Sequence, residues 1–141
     1  MEKKANVKKE QTEQFLDDLA RWAVSQNDLL AVALVGSYAR GTATINSDVD
    51  IVLISSHLDH YLKDNSWAAS FGVVEKRRIE QYGLVTSLRI WYAGGLEVEY
   101  GISDERWAAL PLDAGTRQVI SDGMRILFER GDVLSRHLTT Q

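Results

Sequence analysis

Two aspartates with one residue between them, Asp48 and Asp50, follow a glycine–serine pair, Gly36-Ser37, in the stretch Gly36-Ser37-Tyr38-Ala39-Arg40-Gly41 and then Ser47-Asp48-Val49-Asp50. A chain that passes from a strand through a glycine turn into a helix presents free backbone N–H groups and the positive end of a dipole. Gly36 leaves room for a phosphate against the backbone, and Ser37 adds a hydroxyl donor. Such a cradle suits a triphosphate. Arg40 either reaches that triphosphate or pairs with a surface acid. Ser47 joins this nucleotide-binding set or, with Asp48, caps a turn.

On a strand, Asp48 and Asp50 face the same side with Cα atoms about 7 Å apart, while Val49, Ile51 and Leu53 point the other way into a core. Two carboxylates on one face repel unless cations sit between them. Magnesium prefers oxygen ligands and substrate phosphates, and a pair of such ions can clamp the attacking and leaving oxygens of an in-line displacement. A third carboxylate would complete the site. Glu97 and Glu99 both leave one face of the segment Leu96 to Ile102, opposite Leu96, Val98 and Tyr100, and either can serve as ligand or general base.

The elements that must position these groups are legible from periodicity. Phe15, Leu16, Leu19, Ala20 and Ala23 predict an amphipathic helix from Thr12 to about Gln26. Leu29 to Val35 reads as a strand, Ser37 to Arg40 as the start of a short helix, and Val49 to Ile54 as an interior strand apolar on both faces. Ser55 to Tyr82 carries no clear period and is expected to hold one short helix. Leu84 to Tyr92 and Leu96 to Ile102 form a hairpin across Ala93-Gly94-Gly95. Ser103 is expected to cap a short helix through Leu110, followed by a helix from Asp113 to Ile120, a strand from Met124 to Phe128 and a final helix from Asp132. The outcome is one α/β (α+β) domain over residues 1–141, a mixed sheet flanked by helices.

Composition narrows the partners. The chain has 141 residues, 45% hydrophobic and 26% charged, with net charge −4, so nucleic acid is not an expected partner. It has no cysteine, which excludes disulfides and thiolate chemistry. The charged N-terminus lacks the apolar stretch of a secretory signal, and the longest apolar run, Leu29 to Val35, is too short for a bilayer, so a cytoplasmic protein is expected. Lys3, Lys4, Lys8 and Lys9 read as a solvated, frayed end. His57-Leu58-Asp59-His60 reads as a polar loop rather than a zinc site. Trp67, Trp91 and Trp107 read as core or half-buried aromatics, and Arg89 and Arg117 as candidate phosphate or acceptor contacts.

The segment GSYARGTATINSDVD resembles the signature of the polymerase-β-like nucleotidyltransferase superfamily, and the Leu96-Glu97-Val98-Glu99-Tyr100 strand falls where that family places its third carboxylate. The resemblance runs from Leu29 to Phe128, with specific motifs only in those two segments. It implies a stand-alone domain that moves a nucleoside monophosphate from an NTP, ATP first among them, with two magnesium ions. It matches Gly36 and Ser37 to the triphosphate-binding pair, Asp48 and Asp50 to the metal-binding aspartates, and Glu99 to the third carboxylate, with Glu97 the alternate. Family members that modify antibiotics usually carry a second, helical domain, which is not expected here. The acceptor is therefore left open between a small molecule and a protein, its pocket shaped either by the insertion Ser55 to Tyr82 or by a homodimer. The alternative is a minimal antitoxin that modifies or binds a partner toxin.

Overall fold

Leu29–Val35 (β1) and Val49–Ser55 (β2) are the most apolar segments, and they form the antiparallel centre of a six-stranded sheet. The structure, a computed structural model, describes residues 2–108 and 114–137. Val74–Tyr82 (β3), Val85–Tyr92 (β4), Glu97–Ser103 (β5) and Arg125–Glu129 (β6) complete the sheet in the order β3-β4-β5-β2-β1-β6. Only β2 and β5 run parallel.

β2 is apolar on both faces because both are covered. Val49, Ile51 and Leu53 pack under the long helix Glu2–Val24 (α1), together with its Phe15, Leu16, Leu19 and Ala23. Val52 and Ile54 join Trp107, Ile120 and Leu134 on the opposite side, beneath the helix Ala114–Asp122 (α4). Alternate residues of one strand thus feed two cores. No helix of the described residues is long and apolar enough to cross a membrane.

Four expectations are corrected. The helix α1 begins at Glu2 rather than Thr12, so the lysine-rich start is helical. Lys, Glu, Ala and Gln are good helix formers and extend a helix that packing has already nucleated. The stretch Ser55 to Tyr82 holds two short helical pieces, Asp59–Leu62 (α3) and a 3-10 turn Ser66–Phe71, and then β3. That strand is a sheet edge, exposed along nearly its whole length and charged on both faces, so no hydrophobic period marks it. Ser103 ends β5 and donates to the Leu84 carbonyl at 2.5 Å, while Asp104 receives the Arg106 N–H at 3.0 Å and opens the 3-10 turn Glu105–Ala108. After Asp132 the described chain forms turns and a 3-10 piece, Ser135–His137, tied by the Glu129 carboxylate to the N–H groups of Leu134 and Ser135. The expected helix end at Leu110, and Asp113, lie outside the described residues.

The aromatics between α1 and the sheet form one network. Trp67 stacks on Trp22 with centroids 5.4 Å apart and meets Tyr100 edge-on at 4.9 Å. The Tyr92 and Tyr100 hydroxyls pair at 2.7 Å. Trp67 is therefore a packing residue.

Candidate active site

The parallel register of β2 against β5 sets Asp50 beside Glu99. Residues opposite each other in a ladder share a face, so both carboxylates rise from the side away from α1. Asp48, two residues earlier, rises from the same side. One carboxylate oxygen from each of the three lies within 4.8 Å of the others, the one such grouping among the described residues. Glu97 stands outside it.

Gly36 is tied to this cluster. It follows β1 directly, with φ +74°, and Val35 pairs with Asp50. A Cβ at position 36 would come 2.1 Å from the Asp50 Oδ2, so the turn excludes any side chain. The short helix Gly36–Arg40 (α2) then closes on Gly41, whose φ of +77° makes a left-handed cap. Ser37 stands in the first turn of α2, and its carbonyl accepts the Thr42 N–H at 2.9 Å. Ser47 builds the turn before Asp48, its Oγ accepting the Thr44 N–H at 2.8 Å. Arg40 ends α2 and, with Gly36, Asp50, Glu99 and Trp107, lines a cleft of about 300 Å³.

Arg89, a candidate phosphate or acceptor contact from the sequence, lies against the acids. On β4 it is the ladder partner of Glu99. Its Nη2 donates to Glu99 at 2.5 Å and its Nη1 to Asp48 at 2.8 Å, with Glu97 at 3.5 Å. Ser87, two residues away on the same face, donates to the other Glu99 oxygen at 3.1 Å. An arginine on the polar face of β4 was visible in the sequence, but its facing Glu99 depends on the β4–β5 register. Trp91, further along this face, has the Lys76 Nζ 4.9 Å from its ring centre and the Arg78 guanidinium 5.8 Å away. Arg117 belongs to α4. The histidines lie elsewhere: His60 and Tyr61 both bind the Asp28 carboxylate just before β1.

Asp50 makes no hydrogen bond or ion pair among the described residues. Burial first, then the charges of Asp48 and Glu99, push its carboxyl from the ordinary 3.8 up to about 7, against the pull of Arg89 and Arg40. These three closely grouped oxygen donors could hold a hard divalent cation. The raised value also carries a consequence for stability. Because the folded state holds the proton more tightly than the unfolded chain, Asp50 favours folding below pH 4 and this benefit is lost as pH rises to about 7. Asp50→Asn, which cannot ionise, should therefore melt higher than the parent at pH 8 without metal, and the gap should close towards pH 4. Melting curves in chelator across that range test this; a gap that does not change with pH would contradict it.

A sequence profile described as the nucleotidyltransferase domain matches residues 13–91, which include Gly36, Ser37, Asp48, Asp50 and Arg89 but not Glu99. A Methanocaldococcus jannaschii protein named as a putative protein adenylyltransferase is 26% identical over 118 residues, 79% of this chain and 67% of the relative. Among solved structures, an aminoglycoside 6-adenyltransferase from Bacillus subtilis superposes with a TM-score of 0.54 at 16% identity, over 67% of this chain. The chain spans 35% of that enzyme, and the likeness is one of fold.

Proposed function

Since the chain belongs to the nucleotidyltransferase domain family, we propose that residues 1–141 act as one domain that transfers a nucleoside monophosphate, AMP first among them, from an NTP to an acceptor hydroxyl with magnesium. The observation that carries this reading is the grouping of Asp48, Asp50 and Glu99 within 4.8 Å beside the Gly36-Ser37 turn. In it, the α2 backbone and Ser37 hold the triphosphate, and Arg40 at the mouth of the cleft reaches its outer oxygens. Asp48 and Asp50 hold the metal, with Glu99 as third ligand. Magnesium, when bound, neutralises developing charge on the phosphoryl oxygens and makes the acceptor hydroxyl more acidic. Glu99 takes the acceptor's proton at a carboxylate oxygen, the acceptor oxygen bonds to the α-phosphorus, and pyrophosphate leaves on the opposite side.

The acceptor this reading favours is a protein side chain. The similar M. jannaschii protein is named for that activity. The test is incubation with magnesium and ATP labelled at the α-phosphate, alone and with a cell extract. Label on a protein band with release of pyrophosphate is expected, and aminoglycosides should not compete. Absence of any melting shift with each of the four NTPs, together with no pyrophosphate, would overturn the reading.

A further inference from the structure

Arg89 bridges two of the three acids that could hold a metal ion. Its two terminal nitrogens take one carboxylate each, Asp48 at 2.8 Å and Glu99 at 2.5 Å, with the nearer nitrogen 3.5 Å from Glu97. Its side chain is only 21% exposed. The strand holds it from both sides: Ser87 binds the same Glu99, and the Trp91 ring centre lies 5.9 Å from the guanidinium. Asp50 alone of the three acids has no such partner.

Resting on the nucleotidyltransferase reading above, we propose that Arg89 is an internal counter-cation that competes with divalent metal for Asp48 and Glu99, so that the protein resists free metal and admits it together with the nucleotide. The argument is one of charge and donors. A divalent ion taking Asp48 and Glu99 alone must strip a half-buried guanidinium of its two short ion pairs, and leaving that charge unpaired is costly. A triphosphate arriving with the metal supplies oxygens that can accept the released N–H groups, since the planar fork of arginine suits phosphate as well as carboxylate. The cost of displacement is then offset only when both ligands enter.

A merely structural Arg89 predicts the opposite sign. If it only held mutually repelling acids in place, removing it would loosen the site and weaken metal binding. If it competes, removing it strengthens the binding of free metal. The decisive measurement is Mn²⁺ binding without nucleotide, read from the free-ion electron paramagnetic resonance signal, for the parent protein, Arg89→Gln and Arg89→Lys. Arg89→Gln is expected to bind free Mn²⁺ at least tenfold more tightly than the parent, and Arg89→Lys, which keeps charge but not the fork, to fall between them. With a non-hydrolysable ATP analogue present, the difference should shrink to a few-fold. Equal or weaker free Mn²⁺ binding by both variants overturns the proposal. Should Arg89→Gln fail to fold by circular dichroism, Arg89→Lys decides by the same criterion. Failure of the parent to bind the Mn²⁺–analogue pair would instead remove the nucleotidyltransferase reading, so the two failures are distinct.

Discussion

Asp50→Asn is expected to fold, to bind NTP and to lose nucleotidyl transfer by about a thousandfold or more. Metal-borne charge stabilisation supplies several kcal/mol to such displacements, and each tenfold in rate corresponds to about 1.4 kcal/mol. The variant is clean for a structural reason: Asp50 has no ion pair to break among the described residues, and the neutral amide removes both the cost of burying a charge and the repulsion from Asp48 and Glu99, which together raise the carboxyl to about 7. Asp48→Asn should be equally inactive yet less tidy, since it strips Arg89 of a 2.8 Å ion pair. Single-turnover transfer from labelled ATP, with folding checked by melting, separates the cases. Near-normal turnover in Asp50→Asn would remove the metal from this site. Inactivity that comes with unfolding would make the acid structural.

The second large effect distinguishes two glutamates on one strand face. Glu99 is the ladder partner of Asp50, whereas Glu97 lies two residues, about 7 Å, along β5 and reaches only the flank of Arg89. Glu99→Gln should cut turnover by about 10²–10⁴-fold, the usual worth of general acid–base catalysis, with NTP affinity far less changed. Its amide oxygen can still accept from Ser87 or Arg89, so the fold should hold. Glu97→Gln should behave as an ordinary surface change, within about 0.5 kcal/mol of the parent in stability and near it in turnover. The reverse pattern would reassign the third carboxylate, and survival of turnover in both would eliminate it.

Much of the site was legible because strand facing is a local property. The period of two placed Asp48 and Asp50 on one side and Val49, Ile51 and Leu53 on the other, and the structure has those three in the core under α1. The mixed α+β sheet, the hairpin across Ala93-Gly94-Gly95 and the central position of β2 followed from the same patterning. What failed was marked by the absence of a period. β3 buries almost nothing, so its residues show no apolar alternation, and only its pairing with β4 across the Gly83-Leu84 turn makes it a strand.

The sequence by itself determined the family, the strand faces and the candidate acids, since each depends on residue type and on spacing within a single element. The tertiary structure alone decided three things. It brought Glu99, the residue that the resemblance matched, within 4.8 Å of Asp48 and Asp50 and left the alternate Glu97 outside. It showed that Gly36 is required by the Asp50 carboxylate, which a Cβ there would strike. It placed Arg89 between Asp48 and Glu99. Each is a relation between strands distant in the chain, and such register comes from how the two cores pack on either side of the sheet, a non-local balance that spacing along one strand does not encode.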